Sequence, residues 1–175
     1  LQWNKETKKN PFKLHGIRTT EINKDLQLRI YSTIKKVALA IKLNGLNSFD
    51  FIIPKNKKNC ALLVDINPRP GLSINILSRI YKKNLFTFKN KIKIRKKIYT
   101  TVILYSEKKL FINRKIYNKL KTLKNSKNFS ELPMLNTNIK KNDPICLLHT
   151  SSLSEKSLKK NIKFLENKIF TLLKG

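Results

Sequence analysis

The sequence predicts an α+β fold: an antiparallel sheet with flanking helices, followed by a small β-rich α+β part. Three observations carry that reading. Apolar residues recur at Leu26, Ile30, Ile34, Val37 and Ile41, and again at Leu158, Ile162, Leu165, Ile169 and Leu172, which is the spacing of one helical face. Between these stripes two apolar runs, 46–53 and 60–67, flank the polar stretch 54–59 as the strands of a hairpin do. With 175 residues, 40% of them hydrophobic, the chain can bury one ordinary core or two small ones.

The first stripe predicts a helix over about 23–43, with Thr19 or Thr20 as its cap and Asn44-Gly45 as its stop, because glycine accepts the left-handed conformation that ends helices. The hairpin follows. Both its strands are apolar, so its sheet is expected to be covered on most of its area. Pro68, Pro70 and Gly71 stop the second strand, and Ser73 caps a helix to about Lys83 with Ile74, Leu77, Ile80 and Tyr81 on its buried side. Beyond Asn84 the texture turns to shorter β pieces at 98–105, 110–112 and 144–150, with Asn142-Asp143 as a turn before the last. Ser152 and Glu155 read as a capping box for the final helix, and 124–128 as a mobile loop. A boundary is expected near residue 88, dividing the chain into 1–88 and a β-rich accessory domain, 89–175.

Charge is the most pronounced bulk property. The chain has 39 Lys plus Arg against 10 Asp plus Glu, a formal net charge of +29. Such an excess raises nucleic-acid binding as a function, because basic proteins bind polyanions by neutralising phosphates. The basic residues here are nearly all Lys, spread along the whole chain among abundant Asn and Ile, the pattern of an A+T-rich coding sequence rather than of one polyanion groove. Nucleic acid is therefore not the expected partner. No run approaches the roughly 20 apolar residues of a membrane helix, and the start, Leu1-Gln2-Trp3-Asn4-Lys5, lacks the apolar core of a signal peptide. A cytoplasmic protein without a membrane partner is expected, and the absence of an initiating Met suggests a fragment. Cys60 and Cys146 lie far apart in apolar runs and read as buried free thiols in a reducing compartment.

Chemistry concentrates at Val64-Asp65-Ile66-Asn67-Pro68-Arg69-Pro70-Gly71. Asp65 and Asn67 are two apart in a strand, so both side chains leave the same face and can reach one ion. If Ile53 pairs with Cys60, Asp50 falls opposite Leu63, on that face and diagonal to Asp65; a one-residue slip would turn it away. Two carboxylates and an amide, without His or Cys, suit a hard cation such as magnesium, with manganese as a substitute. Asp50, Asp65 and Asn67 are thus the candidate metal ligands. Arg69 stands at the mouth of the site, where its charge could hold a phosphate or a substrate carboxylate, and the helix start at 71–73 offers backbone N–H groups to an anion. His15 and His149 read as surface or satisfied core imidazoles and stay outside the site.

At these residues the sequence resembles the ATP-grasp superfamily, in which a strand ending in an acidic-x-Asn motif supplies magnesium ligands. Phe49-Asp50-Phe51 resembles the metal-binding Val-Asp-Phe on the partner strand in ligases such as D-alanine:D-alanine ligase. The resemblance extends to ATP-grasp proteins found beside tetrahydromethanopterin biosynthesis functions in methylotrophic bacteria, at Gln2-Trp3, Pro11-Phe12, Gly45-Leu46-Asn47, Asp50-Phe51, Asn67-Pro68-Arg69-Pro70-Gly71 and Asp143-Pro144-Ile145-Cys146. It implies that the chain is the carboxy-terminal part of an ATP-grasp fold. It also implies a ligase: ATP phosphorylates a small-molecule carboxylate to an acylphosphate, and a nucleophilic co-substrate then displaces phosphate. By the same resemblance Arg69 stabilises the transferring phosphoryl group, and Asn67 joins it toward the nucleotide. The sequence departs from the superfamily in having Asp65 where Glu is usual. Residues that contact adenine, and the Lys residues that hold the ATP phosphates, lie upstream of Leu1 in the superfamily, so this chain alone is expected to be inactive. The alternatives are a basic nucleic-acid-binding protein and a catalytically degenerate ATP-grasp module.

Overall fold

The computed structural model describes residues 2–4, 13–57, 59–81, 85 and 96–174. In chain order its elements are β1 (Gln2–Asn4), β2 (Leu14–Arg18), α1 (Lys24–Ala40), β3 (Ser48–Ile52), β4 (Leu62–Asn67), α2 (Ile74–Tyr81), β5 (Ile98–Tyr105), β6 (Leu110–Phe111), α3 (Arg114–Lys121), β7 (Phe129–Ser130), β8 (Asn138–Ile139), β9 (Pro144–Ser152) and α4 (Glu155–Leu173). The chain divides into two compact units: Thr20–Ile92, and Leu1–Thr19 with Lys93–Gly175. The expected boundary near residue 88 lies outside the described residues. The first 19 residues, counted by the sequence reading with the hairpin, belong instead with the later unit, because β2 pairs with β5 through Gly16↔Val102, Ile17↔Thr101 and Arg18↔Thr100.

In the unit Thr20–Ile92, α1 starts at Asn23 rather than at Thr19 or Thr20. The Asn23 carboxamide oxygen accepts the Leu26 N–H at 2.7 Å, and its Nδ2 donates to Asn59 Oδ1 at 2.8 Å, tying the cap to the hairpin loop. Lys42 takes the left-handed position (φ 52°) that ends the helix, with the Leu43 N–H donating to the Ala38 carbonyl; Gly45 (φ 73°) serves the turn that follows. Of the predicted stripe, Leu26 is buried and Ile30, Ile34 and Val37 are half-buried. The hairpin forms as an antiparallel pair, β3 with β4. It is not covered as expected: Ile52, Leu62 and Val64 are each more than half exposed. In α2, Ile76 is the buried residue, and Leu77, placed by the periodicity on the inner face, is exposed.

The other unit is an α+β domain. Its five-stranded antiparallel sheet has the order β1-β2-β5-β9-β7, a second small sheet pairs β6 with β8, and α4 packs on β9 and β5. The predicted α4 stripe meets the core through Leu158, Leu165 and Ile169, with Leu173 as its last buried residue. Its cap is Ser154, which accepts the Ser157 N–H, and not Ser152. Val102, Ile112, Leu120, Leu148 and Ile169, all nearly inaccessible, form the centre of this core.

Candidate functional site

The β3–β4 hairpin carries the candidate residues, and its register determines how they meet. Ile52 pairs with Leu62 and Phe51 with Leu63; a bulge then makes Asp50 pair with Asp65, Phe49 with Ile66 and Ser48 with Asn67. The expected pairing of Asp50 with Leu63 is therefore wrong. The turn shifts the register by one residue and the bulge, which leaves Val64 as the extra residue, shifts it by one more. Two shifts restore the face, because side chains alternate with period two. Asp50 thus stands directly across from Asp65 instead of diagonal to it, with Cα atoms about 4.5–5.5 Å apart as in any such pair.

Asp65 is exposed, and both its carboxylate oxygens accept hydrogen bonds. Oδ1 takes the Ile66 N–H at 2.9 Å and Oδ2 the Asn67 Nδ2 at 2.8 Å. The second bond shows that Asp65 and Asn67 leave the same face, as predicted, and it orients the carboxamide: with Nδ2 directed to Asp65, Oδ1 is the amide atom left to face a cation. Each Asp65 oxygen keeps a further lone pair for the same purpose. Two carboxylates and an amide oxygen fit a hard divalent ion, which prefers oxygen donors. Among the described residues no group of three or more His, Cys, Asp or Glu gathers as a metal site, so this set holds two carboxylates and relies on Asn67 for its third donor.

Arg69 lies just past β4 in the Pro68–Pro70 turn and is exposed. Its carbonyl accepts the Ser48 hydroxyl at 3.3 Å. Gly71 follows, close against the Ser48 side chain: a Cβ on Gly71 would lie 2.5 Å from Ser48 Oγ and 3.2 Å from Ser48 Cβ. Ser73 stands at the head of α2, its carbonyl taking the Leu77 N–H at 3.0 Å. The N–H groups of Ile74 and Asn75 are used by the Gly71 and Leu72 carbonyls and add no donors to those expected at 71–73. Sequence reasoning passed over Ser48, whose only signal is a small polar residue two before Asp50.

Two of the groups left out of the site, His149 and Cys146, lie in the core of the β-rich unit. His149 is buried in the β-rich unit, with Nδ1 3.0 Å from Thr101 Oγ1 and Nε2 2.7 Å from Ser130 Oγ. Cys146 is buried, and burial together with the negative charge of Glu131 pushes its thiol up to about 12. Such a thiol is not a nucleophile at neutral pH. No described helix is long and apolar enough to cross a membrane.

Comparison with known proteins gives likeness in structure alone. No family model matches the sequence, and no curated protein matches it. Among solved structures, L-amino acid ligase from Bacillus licheniformis superposes with a TM-score of 0.59 at 11% identity over 90% of this chain and 44% of that one. Phosphoribosylglycinamide synthetase from Anaerococcus prevotii gives 0.61 at 16% identity over 89% of this chain and 44% of that one. Carboxyaminoimidazole ribonucleotide synthase from Aspergillus clavatus, determined with ATP, gives 0.54 at 9% identity over 91% and 44%. The chain spans less than half the length of each of these three. At these identities the likeness is one of fold: an α+β arrangement of antiparallel sheets flanked by helices, shared with part of each of these structures.

Proposed function

We propose that this chain belongs to an ATP- and magnesium-dependent ligase that joins a carboxylate to an amine or other nucleophile through an acylphosphate. The observation that carries the reading is the direct pairing of Asp50 with Asp65 on the face that also holds Asn67. Like charges directly opposite on neighbouring strands destabilise a hairpin, and a cation between them removes that penalty. Asp50, Asp65 and Asn67 would hold the ion, which when bound neutralises charge on the nucleotide phosphates. The likeness in fold to an L-amino acid ligase, and to a carboxyaminoimidazole ribonucleotide synthase determined with ATP, supports a nucleotide as partner.

In the proposed reaction a substrate carboxylate oxygen attacks the terminal phosphorus of ATP, the bond from that phosphorus to the bridging oxygen breaks, and ADP leaves. The nucleophile then attacks the acyl carbon, the carbon–oxygen bond to phosphate breaks, and the nucleophile loses a proton as inorganic phosphate departs. No side chain needs to become covalently attached. Arg69, exposed in the Pro68–Pro70 turn that follows the strand of Asp65, supplies a fixed planar charge that can take two phosphoryl oxygens at once. Asn67 holds its amide oxygen toward the same centre through its bond to Asp65. The hairpin unit is then the catalytic part, and the β-rich unit an accessory one. The resemblance at residues 45–75 extends the proposal to biosynthesis of a tetrahydromethanopterin-type cofactor. The net charge of +29 favours a second reading, a polyanion-binding protein.

The test is to incubate the full-length protein with ATP, magnesium, a panel of carboxylates and hydroxylamine as a general nucleophile. The proposal expects a hydroxamate together with ADP and phosphate for at least one carboxylate, reduced at least about a hundredfold by Asp65→Asn. ADP formation that ignores both the carboxylate and Asp65→Asn would overturn it.

A further inference from the structure

We propose that Ser48 is a positioning residue of this site, holding the Pro68–Pro70 turn so that Asn67 and Arg69 stay in place around the paired acids. The proposal rests on the ligase reading above. Three contacts point to it. Ser48 is the direct cross-strand partner of Asn67. Its hydroxyl donates to the Arg69 carbonyl at 3.3 Å, reaching over the first proline of the turn. Its Oγ also occupies the place a Gly71 side chain would need, 2.5 Å from that missing Cβ. The turn needs such a tether, because neither Pro68 nor Pro70 has an N–H with which to extend the β3–β4 ladder.

Gly71 supports the same assignment from the other side. Its backbone does not adopt the left-handed conformation that would itself call for glycine; space against Ser48 is the constraint. Ser48 and Gly71 therefore form a matched pair that seats the turn against β3. Arg69 has one polar tether at its carbonyl, and its guanidinium is left to face solvent and ligand. Ser48 need not touch a reactant for this role. It acts through the residues that do.

The experiment is manganese binding by the full-length protein in the presence of a non-hydrolysable ATP analogue, read by the intensity and line shape of the manganese electron paramagnetic resonance signal. Loss of one hydrogen bond predicts about fivefold weaker binding and an altered line shape for Ser48→Ala. Ser48→Thr, which keeps the hydroxyl, is expected to retain the wild-type line shape. Gly71→Ala should weaken binding as well, and Ser48→Ala placed in that background should restore part of it by removing the clashing oxygen; this pair decides the matter even if one single variant folds poorly. Wild-type affinity and line shape in Ser48→Ala, with binding still lost in Asp65→Asn, would overturn the positioning role and leave the ligase reading standing. A wild type that takes up no manganese with the nucleotide would overturn the ligase reading, and this role with it.

Discussion

Asp50 and Asp65 pair directly across a bulged pair of strands, the arrangement on which the proposed cation site rests, and like charges so placed disfavour strand pairing. Asp65→Asn is accordingly expected to leave metal-free stability unchanged or to raise it by about 0.2–1 kcal/mol. Added magnesium with nucleotide should stabilise the wild type alone, and thermal melts of both proteins with and without these ligands check this. Removal of charge that lowered metal-free stability by several kcal/mol would show the acids to be structural. Cys146 gives a prediction with pH. Its folded thiol titrates at about 12 against an ordinary 9.0, so between those values the unfolded chain loses a proton that the folded one keeps. Its contribution to stability is complete below pH 9 and lost as pH rises toward 12, a fall that should shrink in Cys146→Ala when urea melts of the two proteins are compared over that range. At this scale the sequence revealed that Asp65 and Asn67 share a face, because strand alternation is local. It did not reveal that Asp50 stands directly opposite, since the bulge at Val64 leaves no trace in the apolar run around it.

The helices α1 and α4, the β3–β4 hairpin and the strands β5 and β9 were legible because each repeats a period over enough residues to stand out. The helix α3 was not. Its eight residues, Arg-Lys-Ile-Tyr-Asn-Lys-Leu-Lys, bury only Ile116 and Leu120, and one pair at a spacing of four does not declare a helix. Short β2 was missed because its partner β5 lies some 80 residues away, and long-range pairing is not written in a five-residue segment. Caps were misplaced by a few residues because Ser, Thr and Asn all serve, and the one whose backbone is extended at the helix start wins: Asn23 for α1 and Ser154 for α4. These caps are testable. Asn23→Ala should cost about 1 kcal/mol, with a further local effect on the loop that Asn59 anchors, whereas Ile169→Ala in the buried stripe of α4 should cost about 2–5 kcal/mol in chemical denaturation.

At the scale of the whole molecule, the large positive charge and the proposed ligase function make different demands on the chain. The charge is spread along the sequence, so its binding to polyanions should be loose and sensitive to salt, and indifferent to the hairpin acids. A labelled single-stranded RNA should be released between about 50 and 200 mM salt, equally from wild type and Asp65→Asn. Retention at the higher salt would favour the polyanion reading. The fold likeness, at 9–16% identity and with TM-scores of 0.54–0.61 among the three solved structures, says how the backbone is arranged, and the proposed chemistry has to be tested on the hairpin side chains themselves. The most direct test of the account is manganese titration of the full-length protein with a non-hydrolysable ATP analogue, comparing wild type with Asp65→Asn and Asn67→Ala. The account predicts nucleotide-linked manganese binding in the wild type, lost in Asp65→Asn and strongly weakened in Asn67→Ala. A folded wild type that binds no metal–nucleotide complex, or variants that bind as the wild type does, would contradict it.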